Sequence, residues 1–221
     1  MSSVLSALDV ELPKRSSGFG GGSQSKKPRA IVRVRFGQDD CYELVVPVRF
    51  ARTLCFQDYE GLEPREFFER FYHAQAASCF SLLVEMLSRR DHSKAEAAKK
   101  LALYGYREEE IAPAIERACL LGYLDDARFA SAFVRERISR GWGPRKIELE
   151  LTSRGIDARE IPGYPDDYYD DEDLPDRAYR LLCKKNVPES RPREKLIRFL
   201  MGKGFSYDVS ACAADRRLGQ G

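Results

Sequence analysis

GWGPRKIELELTSRGI, residues 141–156, opens on Gly-Pro and closes on Arg-Gly-Ile. Pro144 suits a first helical position, where its missing N–H costs nothing and its fixed φ already fits. Gly155 falls just past the last turn, where a residue without Cβ can take the left-handed conformation that ends many helices. The spacing predicts a helix of about three turns between them. Whether it stands alone depends on what flanks it.

The stretch has echoes. Leu101, Leu151 and Leu200 each stand four residues before a glycine, at 105, 155 and 204, and those glycines are followed by Tyr106, Ile156 and Phe205. Ile111, Ile161 and Val209 come five, five and four residues later, and the echoes are 50 and 49 residues apart. Ahead of each lies a helical pattern with a basic end: LLVEMLSRR at 82–90, FVRERISRG at 133–141 and LLCKKN at 181–186. After each comes a third segment, with Asp157 and Glu160 in capping-box form and Ser206 placed to cap the last. The expected fold is mainly α: a tandem array of three three-helix repeats over 75–122, 123–165 and 174–217.

Upstream, AIVRVRF (30–36) and CYELVV (41–46) alternate with a strand period around Gly37-Gln38-Asp39-Asp40, a hairpin signal. Val32, Val34 and Phe36 share one face, with Ile31, Arg33 and Arg35 on the other. Because a lone hairpin is marginal in water, it must pack on a helix, for which EPREFFERFYHA is the candidate, in an extension over 30–72. Residues 1–29 are dominated by SSGFGGGSQSKKPR and read as a flexible, disordered basic Gly/Ser tail. GFGGGSQSK fails the phosphate-loop pattern, and no strand precedes it.

Composition narrows the function classes. With 221 residues, 37 basic and 35 acidic side chains and a net charge of +2, bulk charge does not argue for nucleic-acid binding, which would need local patches. The cysteines at 41, 55, 79, 119, 183 and 212 contain no C-x-x-C pair and read as reduced core thiols. No run approaches a membrane span and no secretory signal is visible, so the cytoplasm is expected. His73 and His92, the only histidines, have no metal-binding spacing, and Ser93 reads as a helix cap. No catalytic, cofactor or metal site is expected.

Residues 125–156, DDARFASAFVRERISRGWGPRKIELELTSRGI, resemble the signature stretch of the RecX family. SRRDHSKAEAAKKLALYGY and RPREKLIRFLMGKGF resemble that family's other two repeats, so the likeness runs from about 75 to 214. The resemblance implies a non-enzymatic array that binds the RecA recombinase and its filament on DNA. It would restrain RecA's ATPase, strand-exchange and coprotease activities in DNA repair, homologous recombination and the SOS response. A monomer without a membrane partner is expected, and the hairpin resembles an extension of only some relatives. One departure is IPGYP (161–165), which cuts the third helix of the middle repeat short. DDYYDDED (166–173) follows and reads as a solvated acidic linker.

Within the signature stretch, Phe129, Phe133, Val134 and Ile138 form an apolar arc, with Arg128 and Arg135 opposite. Arg137 falls inside the arc and must snorkel or find a carboxylate or helix-end carbonyl. Arg135, Arg140, Arg145 and Lys146 flank the Gly141-Trp142-Gly143 turn, as partner contacts or as a solvated basic face. Arg154 and Lys203 close their helices, where positive charge suits the dipole. Leu149 points away from Ile147 and Leu151, and beside Arg145 and Lys146 it fits the apolar centre and charged rim of an interface. Trp142 is a lid over the core or an anchor for a partner. Two rivals stand beside the RecA reading: a direct DNA binder built from basic helical turns, and a scaffold recruited to an unrelated protein.

Overall fold

The computed structural model describes residues 4–14, 27–37, 40–169 and 174–219, which fall into two compact units, Met1–Leu124 and Asp125–Gly221. In the first, strands β1 (Leu5–Glu11), β2 (Arg29–Phe36) and β3 (Asp40–Pro47) form an antiparallel sheet in the order β1-β2-β3. The β2/β3 register pairs Phe36 with Asp40 and Val32 with Leu44. Alternation puts Val32, Val34 and Phe36 inside, while Arg33 on the outer face bridges Glu11 and Glu43. A short helix α1 (Val48–Ala51) and the long helix α2 (Pro64–Arg89) complete this layer. The buried rings of Phe36, Phe50, Tyr59, Phe67 and Phe71 pack between them.

Three expectations are corrected here. The tail expected over 1–29 is a strand over Leu5–Glu11, so the hairpin is the larger part of a three-stranded sheet. Leu8 and Val10 pack on the core opposite Val34 and Val32, a pairing the intervening Gly/Ser stretch hides from a local reading. That stretch, residues 15–26, lies outside the described residues. The cysteines are not all core thiols: Cys79 is buried, but Cys41, Cys55, Cys183 and Cys212 are exposed. Finally, α2 runs unbroken for 26 residues through the division expected at 72–75. Its Phe67 and Phe71 serve the sheet, and its Cys79, Leu82 and Leu83 serve a second core shared with α3 (Lys94–Leu103) and α4 (Glu108–Leu120).

Local chemistry explains these helix boundaries. Ser93 Oγ accepts from the Glu96 N–H, capping α3. At the start of α4, Glu110 accepts from the Arg107 backbone N–H and guanidinium, and its buried carboxylate also accepts from Gln75 Nε2 at 2.8 Å. That bond ties α4 to α2 through a satisfied polar group.

The second unit contains α5 (Asp126–Ser139), α6 (Pro144–Ser153), α7 (Leu174–Cys183), α8 (Pro192–Lys203) and α9 (Tyr207–Gly219). The three echoes end in one way. Gly105, Gly155 and Gly204 have φ of 97°, 74° and 98°, and Tyr106, Ile156 and Phe205 donate their N–H to the carbonyls of Leu101, Leu151 and Leu200. This is the six-to-one bond that closes a helix on a left-handed residue, with the three leucines fully buried beneath it.

The middle echo lacks a full third helix. A 3-10 turn at Ala158–Glu160 follows α6, and Asp157 bonds the Arg159 N–H instead of forming the expected box with Glu160. In the described part of the acidic stretch Asp166 and Asp167 are exposed, as a solvated linker would be, but the two tyrosines after them are not. Tyr169 is only 6% exposed, and the Tyr168 hydroxyl bonds Ser131 Oγ at 2.9 Å. Ile161, Tyr164, Tyr168 and Tyr169 pack on the α5–α6 core where the missing helix would have supplied side chains. Residues 170–173 lie outside the described residues.

Candidate partner-binding face

The α5–α6 turn is built by two glycines and a helix end. Gly143 donates its N–H to Lys203 O at 2.8 Å, and Arg145 donates to Gly204 O at 3.2 Å. The unpaired amides at the start of α6 thus meet the unpaired carbonyls at the end of α8, so each terminus satisfies the other. The approach is close: a Cβ on Gly143 would lie 2.5 Å from Gly204 C, and one on Gly204 would lie 2.4 Å from Lys146 Cβ. Pro144 at the first position has no N–H to leave unpaired.

Above this junction the side chains stack. Arg137 Cζ lies 4.6 Å from the Phe133 ring and 4.9 Å from the Trp142 ring, whose face also holds Lys146 Nζ at 4.2 Å. Arg154 Cζ lies 4.8 Å from the Phe133 ring. Cations and aromatic faces alternate from Arg154 through Phe133, Arg137 and Trp142 to Lys146, each pairing worth about 0.5–2 kcal/mol according to its desolvation. Arg137 therefore lies between the Phe133 and Trp142 rings, with Glu136 3.6 Å away. Half-buried Trp142 packs on the α5–α6 core, which favours the lid reading of that residue.

The expected contact residues divide. Arg135 lies on the far side of α5 with its guanidinium 5.5 Å from the Tyr168 ring, apart from the Trp142 stack. Arg140 is exposed and paired with Glu136. Arg145 is exposed at the start of α6, Lys146 is half-buried on Trp142, and Leu149, one turn on, is 71% exposed. Arg140, Trp142, Arg145, Lys146 and Leu149 belong to one turn and the helix it starts; Arg135 does not. Arg154 Nη1 donates to Glu150 O at 2.9 Å, closing α6 as its position suggested, while Lys203 stands 5.9 Å from the Phe199 ring. Sequence reasoning missed Gly143 and Gly204 as a packed pair, although both glycines abut helix ends.

On the other side of α6, Glu148, Thr152, Asp157, Arg159 and Tyr164 line a pocket of about 350 Å³. Burial first, then Tyr169 and Glu148, raises the Tyr164 phenol, and burial pushes Tyr169 up to about 12. Both phenols stay protonated at neutral pH, which suits packing and hydrogen bonding better than proton transfer. Among the described residues, no group of three or more His, Cys, Asp or Glu side chains is placed to hold a metal ion. None of the described helices is long and apolar enough to cross a membrane.

Residues 125–161 match the family model of the second three-helix domain of RecX, and residues 79–117 match that of the first. The regulatory protein RecX of Vibrio vulnificus is 30% identical over 139 residues, covering 59% of this chain and 87% of the relative. That of Chromohalobacter salexigens is 36% identical over 136 residues, covering 57% and 83%. A crystal structure of a regulatory protein RecX superposes with a TM-score of 0.55 at 22% identity, covering 96% of this chain and 99% of that one. RecX from Lactobacillus salivarius gives 0.54 at 22%, covering 64% and 96%. At this identity the two structures share the fold.

Proposed function

The chain belongs to the RecX family, and on that premise we propose that it is a non-enzymatic regulator that binds the RecA recombinase filament and inhibits its activities. It works in the cytoplasm, where it lowers RecA ATPase, strand exchange and coprotease action during DNA repair and the SOS response. The observation that carries the reading is Leu149, exposed on α6 beside Arg145 and Lys146, on the helix that the Trp142 turn starts. An exposed leucine one turn from two cations has the make-up of a small interface centre with a charged rim. The stack and the helix junction hold that patch on rigid elements, which reduces the ordering cost of binding.

Charge reversal at Arg140, Arg145 and Lys146 tests it. The triple variant should need about tenfold more protein to half-inhibit RecA ATPase on single-stranded DNA, because reversed rim charges slow encounter and weaken docking. Leu149→Ala alone should weaken inhibition with its salt dependence unchanged. Equal inhibition by all forms removes this face from the interface. Arg135→Glu serves as the control, since that side chain lies on Tyr168 away from the patch.

A further inference from the structure

The sheet of the first unit lies outside both segments that match the family models, and it has one guarded edge and one open edge. At β1 the pairing is interrupted between Leu5 and Ala7, and the Leu5 N–H is already taken by Leu62 O at 2.9 Å. β3 has neither device. Its register with β2 is regular from Asp40 to Pro47, and no described residue outside the sheet shares a backbone hydrogen bond with residues 40–46. It carries no lysine or arginine, and its one proline, Pro47, stands at the end. A regular edge without such guards is a ready template for another strand.

The side chains along this edge narrow its occupant. Tyr42, Leu44 and Val46 share the core face, where the exposed Tyr42 ring meets Phe68, which in turn stacks on the exposed Tyr72 of α2. Cys41, Glu43 and Val45 share the outer face, with Val45 53% exposed and Glu43 already paired with Arg33 at 3.2 Å. A charged peptide finds no unpaired charge to meet between Cys41 and Val46, whereas β3 itself offers a match of apolar side chains. Register then decides how two copies fit. A slip of one residue would turn Leu44 of one copy toward the outer face of the other. Centring on Glu43 would oppose two carboxylates, which is unfavourable directly across a strand pair. Centring on Tyr42 or Val45 would shorten the overlap to 40–44 or 43–47, against 41–47 for a centre at Leu44. With Leu44 on the axis, Tyr42 meets the partner's Val46, and Val45 meets the partner's Glu43. We propose that this edge is a homodimer interface, in which β3 pairs antiparallel with β3 of a second copy about a two-fold axis at Leu44. Two three-stranded sheets then become one, in place of the monomer expected from the sequence.

The test follows the full chain by sedimentation velocity over a wide range of concentrations, under reducing conditions and without RecA. Its mass should rise from monomer to dimer with concentration. Val45→Glu, which sets a carboxylate against the partner's Glu43 at both symmetric positions, should weaken the dimer about tenfold. Val45→Lys removes the same apolar side chain but sets an ammonium against that carboxylate, so it should hold the dimer at least as well as the parent. Val45 is exposed, so both variants should keep the parent's circular-dichroism spectrum. A chain that stays monomeric at every concentration overturns the proposal. So does a dimer that both substitutions weaken equally or that neither changes, because like and opposite charge must act with opposite sign at this pairing. RecA takes no part in the measurement, so its result is distinct from that of the Leu149 face.

Discussion

At the residue scale, His92 shows how burial sets a pH response. Its ring is 3% exposed, and its pKa lies below the ordinary value of 6.5 because burial, aided by the cations Arg90 and Lys100, outweighs Glu96 at 3.2 Å. A base with a depressed folded pKa binds its proton more readily in the unfolded chain. The stability at stake is present above about 6.5 and is lost as pH falls from there through the folded value. Urea denaturation should show the midpoint dropping over that window, and His92→Gln should flatten the drop; an equal slope in both proteins refutes it. The sequence placed Ser93 correctly as a cap, since the cap depends on a few consecutive residues. Arg137 was harder to read. Its place on the apolar arc beside Phe133 was visible, but its second ring, Trp142, reaches it only once the Gly141 turn folds back. The same holds for Arg135, which its helix angle left beside the turn and Tyr168 draws away.

At the element scale, the α8-to-α6 junction makes opposite predictions for two glycines with only Lys203 between them. Gly204→Ala puts a methyl group in a left-handed residue and into Lys146, which should cost about 2–4 kcal/mol from backbone strain and overpacking. Gly202→Ala, inside α8 with open space around its Cβ position, should stabilise by about 0.5–1 kcal/mol because alanine is the better helix former. Chemical denaturation of the two proteins checks both signs, and a Gly204→Ala protein as stable as its parent would refute the steric account. Helix ends were legible here because Pro144, Gly155 and Gly204 act through local backbone geometry. Strand β1 was not, because its evidence lies in partners twenty or more residues away across a Gly/Ser stretch. The segment after Pro162 was read correctly as a broken helix, and the solvated reading of the acidic run fails at Tyr168 and Tyr169. Its tyrosines resemble linker aromatics until Ser131 and the α5–α6 core are seen to receive them.

At the scale of the molecule, the 50- and 49-residue echoes revealed three repeated helical units, and each echo indeed ends in the same closing bond. What period alone could not reveal is that α2 belongs to the sheet and to the first repeat at once. The Asp125–Gly221 unit has two apolar cores of its own, one beneath α5 and α6 and one among α7, α8 and α9. Residues 125–219 produced alone should therefore show a helical circular-dichroism spectrum and a single cooperative melt. A gradual, featureless melt would count against self-sufficiency. The reciprocal helix ends also bear on biosynthesis. The amides of Gly143 and Arg145 find their acceptors in Lys203 and Gly204, about sixty positions later in the chain. While the ribosome is still translating those codons, the emerging middle repeat holds water where its permanent ligands will be, so its final rigidity arrives only as synthesis nears its end.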